Sequence, residues 1–294
     1  MTSDNRVTGR TKLMGVIGNP IEHSISPQLH NTVSSLLGVD YVYVPFRVEK
    51  EVLGDAVKGL KALGFVGFNI TVPFKNDVLK FLDEVTDEVK LIGAANTVKI
   101  QNGKLYGFNT DTEGFARAFQ EETGTGFRGK RIMILGAGGA ARGIAVKVAL
   151  EGAAVVSIVN RTVAKAYEIA EIISKNIGIP AAGYASEESA VVDVIEKSDI
   201  IINTTSIGMH PQVDECPVDE AVVFSPHQIV YDAIYNPVQT ALLKKAEKDG
   251  SKAVNGLGML FYQGIYAYEI WTGIKAKDEI IQSAYEAFLK ILKK

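Results

Sequence analysis

The chain has 294 residues, of which 47% are apolar and 22% charged, an ordinary globular balance. The length favours two domains over a single large one. The formal net charge of −3 gives no reason to expect nucleic acid or an anionic membrane as a partner. The single cysteine, Cys216, excludes an internal disulfide and fits a cytoplasmic location, and with four scattered histidines it shows no metal-ligand spacing.

Targeting segments are not expected either. No apolar run approaches the length of a membrane-spanning helix. Residues 1–12 are polar and lack the apolar core of a secretion signal, so they are expected to form a frayed tail.

The first third of the chain alternates strands with helices, which predicts a mostly parallel sheet. Buried strands are predicted at residues 13–17, 41–46 and 67–72, and Pro45 indicates that the second of them either lies at a sheet edge or ends there. A type I′ turn signal, Asn102-Gly103, then predicts a hairpin.

The loop after the first strand contains two serines. Ser26, followed by Pro27, is typical of an N-cap with proline at the first helical position, so capping alone explains it. Capping does not explain Ser24. Two hydroxyls beside a helix N-terminus could instead hold a carboxylate.

Two charged residues stand at element junctions. Lys75 follows the third strand and is predicted to lie in the first turn of a helix, where the dipole disfavours a cation. A solvated lysine is one interpretation, but ligands of open α/β sheets bind just beyond the carboxyl ends of strands. Asp111 follows the hairpin and is either a plain N-cap or a functional carboxylate.

A dinucleotide-binding pattern begins at residues 132–135, which predict a strand buried on both faces. A glycine turn and an apolar helix follow, in the order that the fingerprint requires. Gly136 permits the tight turn, Gly138 allows close approach of a pyrophosphate, and Ala141 is small enough for helix and strand to pack. A tight turn without a ligand is the weaker alternative. The residues predicted to hold the phosphates are Gly136, Ala137, Gly138, Gly139 and Ala140.

The residues after the next strand indicate which cofactor binds. An acid there would accept from the ribose hydroxyls of NAD, whereas an arginine would suit the 2′-phosphate of NADP. The chain has Asn160, Arg161 and Thr162, with Lys165 one turn further on, and no acid. A solvated basic turn is the alternative, but this composition favours NADP. The loop from Thr204 could line the nicotinamide half of the site.

Together the motifs resemble those of the shikimate dehydrogenase family, in the family's order and over nearly the whole chain. The glycine turn is shared with many enzymes, whereas the lysine and aspartate motifs together are highly specific. The matching stretches are 23–27, 69–75, 93–97, 107–111, 136–141, 160–162, 235–237 and 256–260 with Gln263.

The resemblance implies a two-domain α/β fold. Residues 1–111 and the C-terminal helices, 257–294, would form an α/β substrate domain with a mostly parallel sheet, and residues 112–256 a Rossmann-type NADP domain. The implied reaction is reversible, NADPH-dependent reduction of 3-dehydroshikimate to shikimate, in aromatic amino acid biosynthesis. The implied partner is this small molecule, with no nucleic acid or membrane, and the chain would be a monomer or homodimer.

The resemblance also implies roles for single residues. Lys75 and Asp111 match the catalytic pair: the lysine can supply charge or a proton to the ketone oxygen, and the aspartate can orient it and accept from a hydroxyl, so no metal is needed. The remaining matches are Ser24 and Ser26 for the substrate carboxylate, Tyr235 near it, Thr71, Asn96 and Gln263 for the ring hydroxyls, and Gly256 among the cofactor residues.

Some features depart from the pattern or leave alternatives. Lys165 stands where many relatives carry a second arginine, so its contact with a 2′-phosphate would be less bidentate. A quinate/shikimate dehydrogenase with relaxed cofactor use is one alternative, although such relatives tend to carry an acid after the second strand. A non-catalytic nucleotide-binding sensor is another, although it need not keep Lys75 and Asp111. A polar helical face would by itself explain Gln263.

Overall fold

The computed structural model describes residues 7–292, so residues 1–6 of the expected tail lie outside the described residues. The described chain divides into two compact units. The first contains the residues up to Thr110 and those from Gln263 onward, and the second contains Asp111–Tyr262. Both divisions fall inside a helix, so continuous helices carry the chain from one unit into the other.

The helices are numbered along the whole described chain. They are α1 (Ser26–Leu37), α2 (Leu53–Ala62), α3 (Asp87–Ile92), α4 (Thr110–Thr123), α5 (Gly139–Leu150), α6 (Val163–Asn176), α7 (Ala190–Lys197), α8 (Ala241–Lys248), α9 (Leu257–Thr272) and α10 (Asp278–Leu292).

The first unit is built on a six-stranded sheet of described residues. Its strands are β1 (Lys12–Gly18), β2 (Tyr41–Arg47), β3 (Gly67–Ile70), β4 (Glu84–Val85), β5 (Thr97–Gln101) and β6 (Lys104–Phe108). The order is β2-β1-β3-β5-β6-β4, so the strand that contains Pro45 lies at an edge, which confirms the first of the two alternatives, and it continues past Pro45 to Arg47. β1 pairs in parallel with β2 and β3, and β4 with β6, while β5 runs antiparallel to both of its neighbours.

The β5–β6 hairpin confirms the turn signal. Asn102 and Gly103 have φ angles of 52° and 71°, the left-handed values that a type I′ turn requires at both central positions. The core of this unit packs α2 on the sheet, with Phe68, Ile70 and Phe74 at most 1% exposed.

Two local predictions in this unit are wrong. Ile25 occupies the N-cap position of α1, so Ser26 is the first helical residue and not the cap. Lys75 lies in a turn and not in an α-helix, because the segment between it and β4 forms only a 3₁₀ helix over Asp77–Phe81. The amide of Asp83 already donates to the Leu105 carbonyl, 3.0 Å away, so sheet pairing ends the segment before an α-helix can extend.

The second unit is a parallel sheet with helices on both faces. Its strands are β7 (Arg131–Leu135), β8 (Val155–Asn160), β9 (Ala181–Ala185), β10 (Ile200–Asn203), β11 (Ile229–Asp232) and β12 (Lys252–Val254). The order is β12-β11-β10-β7-β8-β9 and every pairing is parallel. The strand order therefore reverses between β7 and β10, where doubly wound sheets bind their ligands.

The first strand of this unit is buried on both faces, as its uninterrupted apolar run predicts. Ile132 and Ile134 belong to one core cluster, and Met133 and Leu135 belong to another on the opposite face. The packing of both faces fixes the position in the sheet at which β7 ends and the glycine turn begins.

Candidate functional site

Several predicted substrate residues of the first unit lie at one edge of its sheet. Because β5 runs antiparallel to β3, with Asn69 opposite Thr97, the start of β5 lies beside the end of β3. Thr71 donates its amide to the Ile17 carbonyl at the end of β1, 3.0 Å away. The chain thus brings to this edge Ser24 and Ser26 after β1, Thr71 and Lys75 after β3, and Asn96 before β5.

Two hydrogen bonds fix the turn that contains Lys75. The Lys75 carbonyl accepts from the Ala95 amide at 2.9 Å. The side chain of Asn76 donates to the Gly93 carbonyl at 2.6 Å. The half-buried Lys75 is therefore anchored beside the segment that contains Asn96.

A buried hydrogen-bond network fixes the position of Asn96. Asn69, 6% exposed, accepts from the Tyr43 hydroxyl at 2.7 Å and donates to the Thr97 hydroxyl at 2.9 Å. The side-chain oxygen of Asn96 accepts from the backbone amide of Thr110 at 2.7 Å. Since Thr110 precedes Asp111, this network also fixes where α4 begins.

Aromatic rings pack behind this network. His30 is fully buried on α1 and stacks on Tyr43 with centroids 4.2 Å apart. Burial lowers the pKa of His30 to about 3, against the opposing effect of the neighbouring Asn69 side chain. Burial also raises the pKa of Tyr43 well above its ordinary value, against the opposing effect of a hydrogen bond with Ser26.

The other predicted substrate residues occupy different elements. Gln263 is half-buried on α9, and the next residue, Gly264, approaches α1 so closely that a Cβ would lie 2.6 Å from Leu29 Cδ2. Asp111 and Tyr235 belong to the second unit. Asp111 lies in the first turn of α4, one residue inside it, and Tyr235 is 42% exposed after β11.

The second unit contains a cavity of about 920 Å³ at the carboxyl ends of β7, β8 and β10. This is the position that the strand order assigns to a ligand. The predicted cofactor residues that line it are Gly136, Ala137, Gly138, Asn160, Arg161, Thr162, Lys165 and Thr204.

The glycine turn has the geometry that a bound pyrophosphate needs. Gly136 has φ +105°, and a Cβ there would lie 2.6 Å from the Thr204 hydroxyl oxygen. A Cβ on Gly138 would meet nothing within 4 Å, so the space beside this residue is open. Gly139 and Ala140 form the exposed first turn of α5, whose N–H groups favour an anion. The turn therefore fits a dinucleotide.

The turn after β8 presents cations. Asn160 donates its side-chain amide to the Thr162 carbonyl at 2.9 Å, which braces the turn around Arg161. Arg161 and Lys165 are both exposed at the cavity. Glu188 also lines the cavity, but its carboxylate accepts from the backbone amide of Ala185 at 2.6 Å. The donors at the end of β8 therefore fit a 2′-phosphate.

Gly256, the remaining predicted cofactor residue, has a clear packing role. A Cβ there would clash with the Ala233 carbonyl oxygen, and the Gly256 amide donates to the Ile234 carbonyl at 3.1 Å. Close backbone approach after β11 thus explains this glycine, and its cofactor contact stays a prediction.

Residues 7–292 contain neither a candidate membrane span nor a candidate metal site. None of the helices there is long and apolar enough to cross a membrane. No group of three or more His, Cys, Asp or Glu side chains is arranged to hold a metal ion.

Comparisons with known proteins indicate the same family in successive parts of the chain. A family model described as the shikimate dehydrogenase substrate binding domain matches residues 16–98. One described as shikimate / quinate 5-dehydrogenase matches residues 118–230, and one described as the shikimate 5′-dehydrogenase C-terminal domain matches residues 256–284. Shikimate dehydrogenase (NADP(+)) of Methanopyrus kandleri is 44% identical over 278 residues, covering 95% of this chain and 96% of that protein.

Solved structures are similar over the same length. Shikimate 5-dehydrogenase from Listeria monocytogenes, in complex with shikimate and NAD, has a TM-score of 0.91 at 39% identity and covers 95% of this chain and 97% of that one. The ligand-free form of 5-ketofructose reductase from Gluconobacter sp. strain CHM43 has a TM-score of 0.85 at 38% identity, covering 96% and 100%.

The strand order and glycine turn of the second unit define a dinucleotide-binding α/β protein. The first unit adds a mixed sheet with polar side chains gathered at one edge. With relatives at this identity and coverage, the chain belongs to the shikimate dehydrogenase family. The resemblance that the motifs indicate is thereby confirmed, as is the α/β fold class.

Proposed function

We propose that this chain is an NADP-dependent oxidoreductase that interconverts 3-dehydroshikimate and shikimate. The observation that supports the proposal is the polar sheet edge of the first unit, where Ser24 follows β1, Thr71 and Lys75 follow β3 and Asn96 precedes β5, in a chain of this family. Hydroxyl, amide and ammonium groups are the donors that a polyhydroxylated carboxylic acid needs.

In this proposal one unit binds the substrate and the other binds the cofactor. The first unit is the substrate-binding domain and the second is the NADP-binding domain. Ser24 and Ser26 bind the substrate carboxylate, with Tyr235 near it. Thr71, Asn96 and Gln263 bind the ring hydroxyls. This assignment is supported by the family model of a substrate binding domain, which covers all but two of these residues.

Lys75 and Asp111 carry the catalytic roles. Bound NADPH supplies the hydride that reduces the ketone. Negative charge develops on the ketone oxygen as it is reduced, and the Lys75 ammonium donates a proton to that oxygen. Asp111 accepts a hydrogen bond from a substrate hydroxyl. The hydrogen bonds of the Lys75 carbonyl and of the Asn76 side chain support the role, because a proton donor must be held in place before the reaction.

The cofactor is held by the second unit. Gly136, Ala137, Gly138, Gly139 and Ala140 surround the pyrophosphate, and Thr204 lies toward the nicotinamide. Arg161, Lys165 and the Asn160–Thr162 turn bind the 2′-phosphate, which sets the preference for NADP. Both cations line the cavity, which supports this assignment.

Quinate, or the alcohol product of reducing another ketone, is the competing substrate. The 38% identity to a 5-ketofructose reductase means that a different substrate is possible on this fold, while the curated relatives carry the shikimate name. An absorbance assay that crosses shikimate and quinate with NADP and NAD tests the proposal. We expect shikimate with NADP to give the highest kcat/KM. Higher activity with quinate, or with NAD, would contradict it.

We also propose that the chain acts in the cytoplasm as a monomer or homodimer. The single cysteine needs no oxidising compartment, which supports the location. Light scattering of the purified chain measures the mass directly, and a value above that of a dimer would contradict the second part.

A further inference from the structure

A buried carboxylate stands at the carboxyl edge of the second sheet. Asp232 ends β11, and its register partner Asn203 ends β10. Both side chains are fully buried. The residues that directly follow Asn203, from Thr204 to Ile207, line the 920 Å³ cavity.

Asp232 accepts hydrogen bonds from three different segments. Its Oδ1 accepts from Asn203 Nδ2 at 3.0 Å and from the Ile234 amide at 3.1 Å. Its Oδ2 accepts from the Thr240 hydroxyl at 2.7 Å. Burial raises the pKa of Asp232, and these hydrogen bonds oppose that effect. All three partners donate hydrogen bonds to Asp232. The site therefore suits an ionised carboxylate, which only accepts hydrogen bonds.

The contact with Asp232 fixes the orientation of the Asn203 amide. With Nδ2 held by the carboxylate, Oδ1 points away from it and accepts from both the amide and the hydroxyl of Thr205, at 3.0 and 2.7 Å. The Thr205 hydroxyl in turn accepts from the Ile207 amide at 3.2 Å. A chain of hydrogen bonds thus runs from Asp232 into the loop that lines the cavity.

We propose that Asp232 is a positioning residue for the cofactor pocket, which acts through Asn203 to hold the loop from Thr204 to Ile207 in the shape that binds the dinucleotide. This inference rests on the proposed function, because it takes the cavity to be the NADP site. A loop that is ordered before binding spares the ligand the cost of ordering it. Loss of the relay should therefore weaken cofactor binding without removing any group that touches the cofactor.

Three variants separate the relay from simple loss of stability. Asn203→Ala breaks the link and leaves Asp232 with its other two donors. Asp232→Ala removes the carboxylate. Asp232→Asn keeps the relay, because its oxygen still accepts from Asn203 and from Ile234, while its NH₂ donates to a Thr240 hydroxyl that has turned round.

A matched control is available at the other end of β11. Gln228 is 1% exposed, and its side-chain NH₂ donates to the carbonyls of Ile195 and Ser198 at 2.7 and 2.8 Å. Gln228→Met removes these hydrogen bonds from a buried site of the same unit, at the end of β11 opposite to the loop from Thr204 to Ile207. It should lower stability without changing the affinity for the cofactor.

The first measurement is the Kd for NADP⁺, by titration of each cofactor-free protein. We expect Asn203→Ala and Asp232→Ala each to raise the Kd about tenfold, since each removes a hydrogen bond of a charged or buried polar group. The double variant should bind no more weakly than Asp232→Ala, because both changes break one relay. Asp232→Asn and Gln228→Met should stay within about twofold of the parent chain, since neither breaks the relay.

The second measurement needs no cofactor. Amide hydrogen exchange of Thr205 and Ile207 should speed up in Asn203→Ala and stay unchanged in Gln228→Met, because only the first loses the acceptor in the loop. Unchanged exchange in Asn203→Ala, or equal weakening of binding by Gln228→Met, would overturn the inference. Failure of the parent chain to bind NADP⁺ would instead overturn the proposed function, and the exchange rates would still decide whether the relay orders the loop.

Discussion

His30 should make the stability of the first unit fall as the pH drops below neutral. The ring is fully buried, and burial lowers its pKa from an ordinary 6.5 to about 3. The unfolded chain binds a proton at this ring below pH 6.5, whereas the folded chain stays unprotonated until about pH 3. The stabilisation is therefore complete above pH 6.5 and is lost as the pH falls.

The size of the effect follows from the displacement of the pKa. Each pH unit below 6.5 costs about 1.4 kcal/mol of the free energy of unfolding, so the loss at pH 5 is about 2 kcal/mol. His30→Leu removes the titrating group at similar side-chain volume. The difference between parent and variant should thus be nearly constant from pH 7 to 8 and shift by about 2 kcal/mol against the parent at pH 5.

Urea-induced unfolding at a series of pH values measures this difference. The exposed His23, changed to leucine, controls for the loss of one histidine. Parallel pH profiles of the parent and His30→Leu would refute the reasoning, since they would mean that the folded chain protonates His30 as readily as the unfolded chain does.

Two further predictions concern binding. Arg161→Ala should raise the Kd for NADP about tenfold or more and leave that for NAD nearly unchanged, because a charge-assisted contact contributes roughly 1.5–3 kcal/mol; equal losses in a titration with each cofactor would mean that Arg161 is structural. Ser24→Ala should raise the KM for shikimate more than the KM for NADP, since the hydroxyl is proposed to bind only the carboxylate; an unchanged KM for shikimate at unchanged thermal stability would make Ser24 a plain loop residue.

Local signals predicted the parts of the fold that local chemistry decides. The Asn102-Gly103 pair predicted the hairpin. The apolar strand before Gly136, together with the glycine turn after it, predicted the dinucleotide-binding unit. β9 gave no such signal, because Ala181–Ala185 has no β-branched residue and a single aromatic one. The helix predicted at Lys75 did not form, because the pairing of Asp83 with Leu105 depends on a strand distant in sequence.

The candidate site shows the same division. The motifs predicted Lys75 and Asn96 as site residues. They did not predict the buried residues whose hydrogen bonds fix the position of these two. Asn69 lies in a motif, but its role does not follow from the sequence, since its partners Tyr43 and Thr97 come from other strands. Asp232 and Asn203 likewise end strands that are adjacent in the sheet and distant in sequence. A polar residue in the last positions of an otherwise apolar strand is the sequence signal that indicates such a buried residue, at Asn69 as at Asn203 and Asp232.

The most direct test of the account is the steady-state kinetics of Lys75→Ala. If Lys75 donates the proton, kcat should fall by about two to four powers of ten, the usual range for a general acid, while the KM for shikimate changes much less. Asp111→Asn should also lower kcat, and the double variant should lose less than the two effects combined. Lys80→Ala, an exposed lysine in the same unit, should keep the parent kcat. A Lys75→Ala enzyme with a raised KM and a parent-like kcat at saturating shikimate would contradict the account.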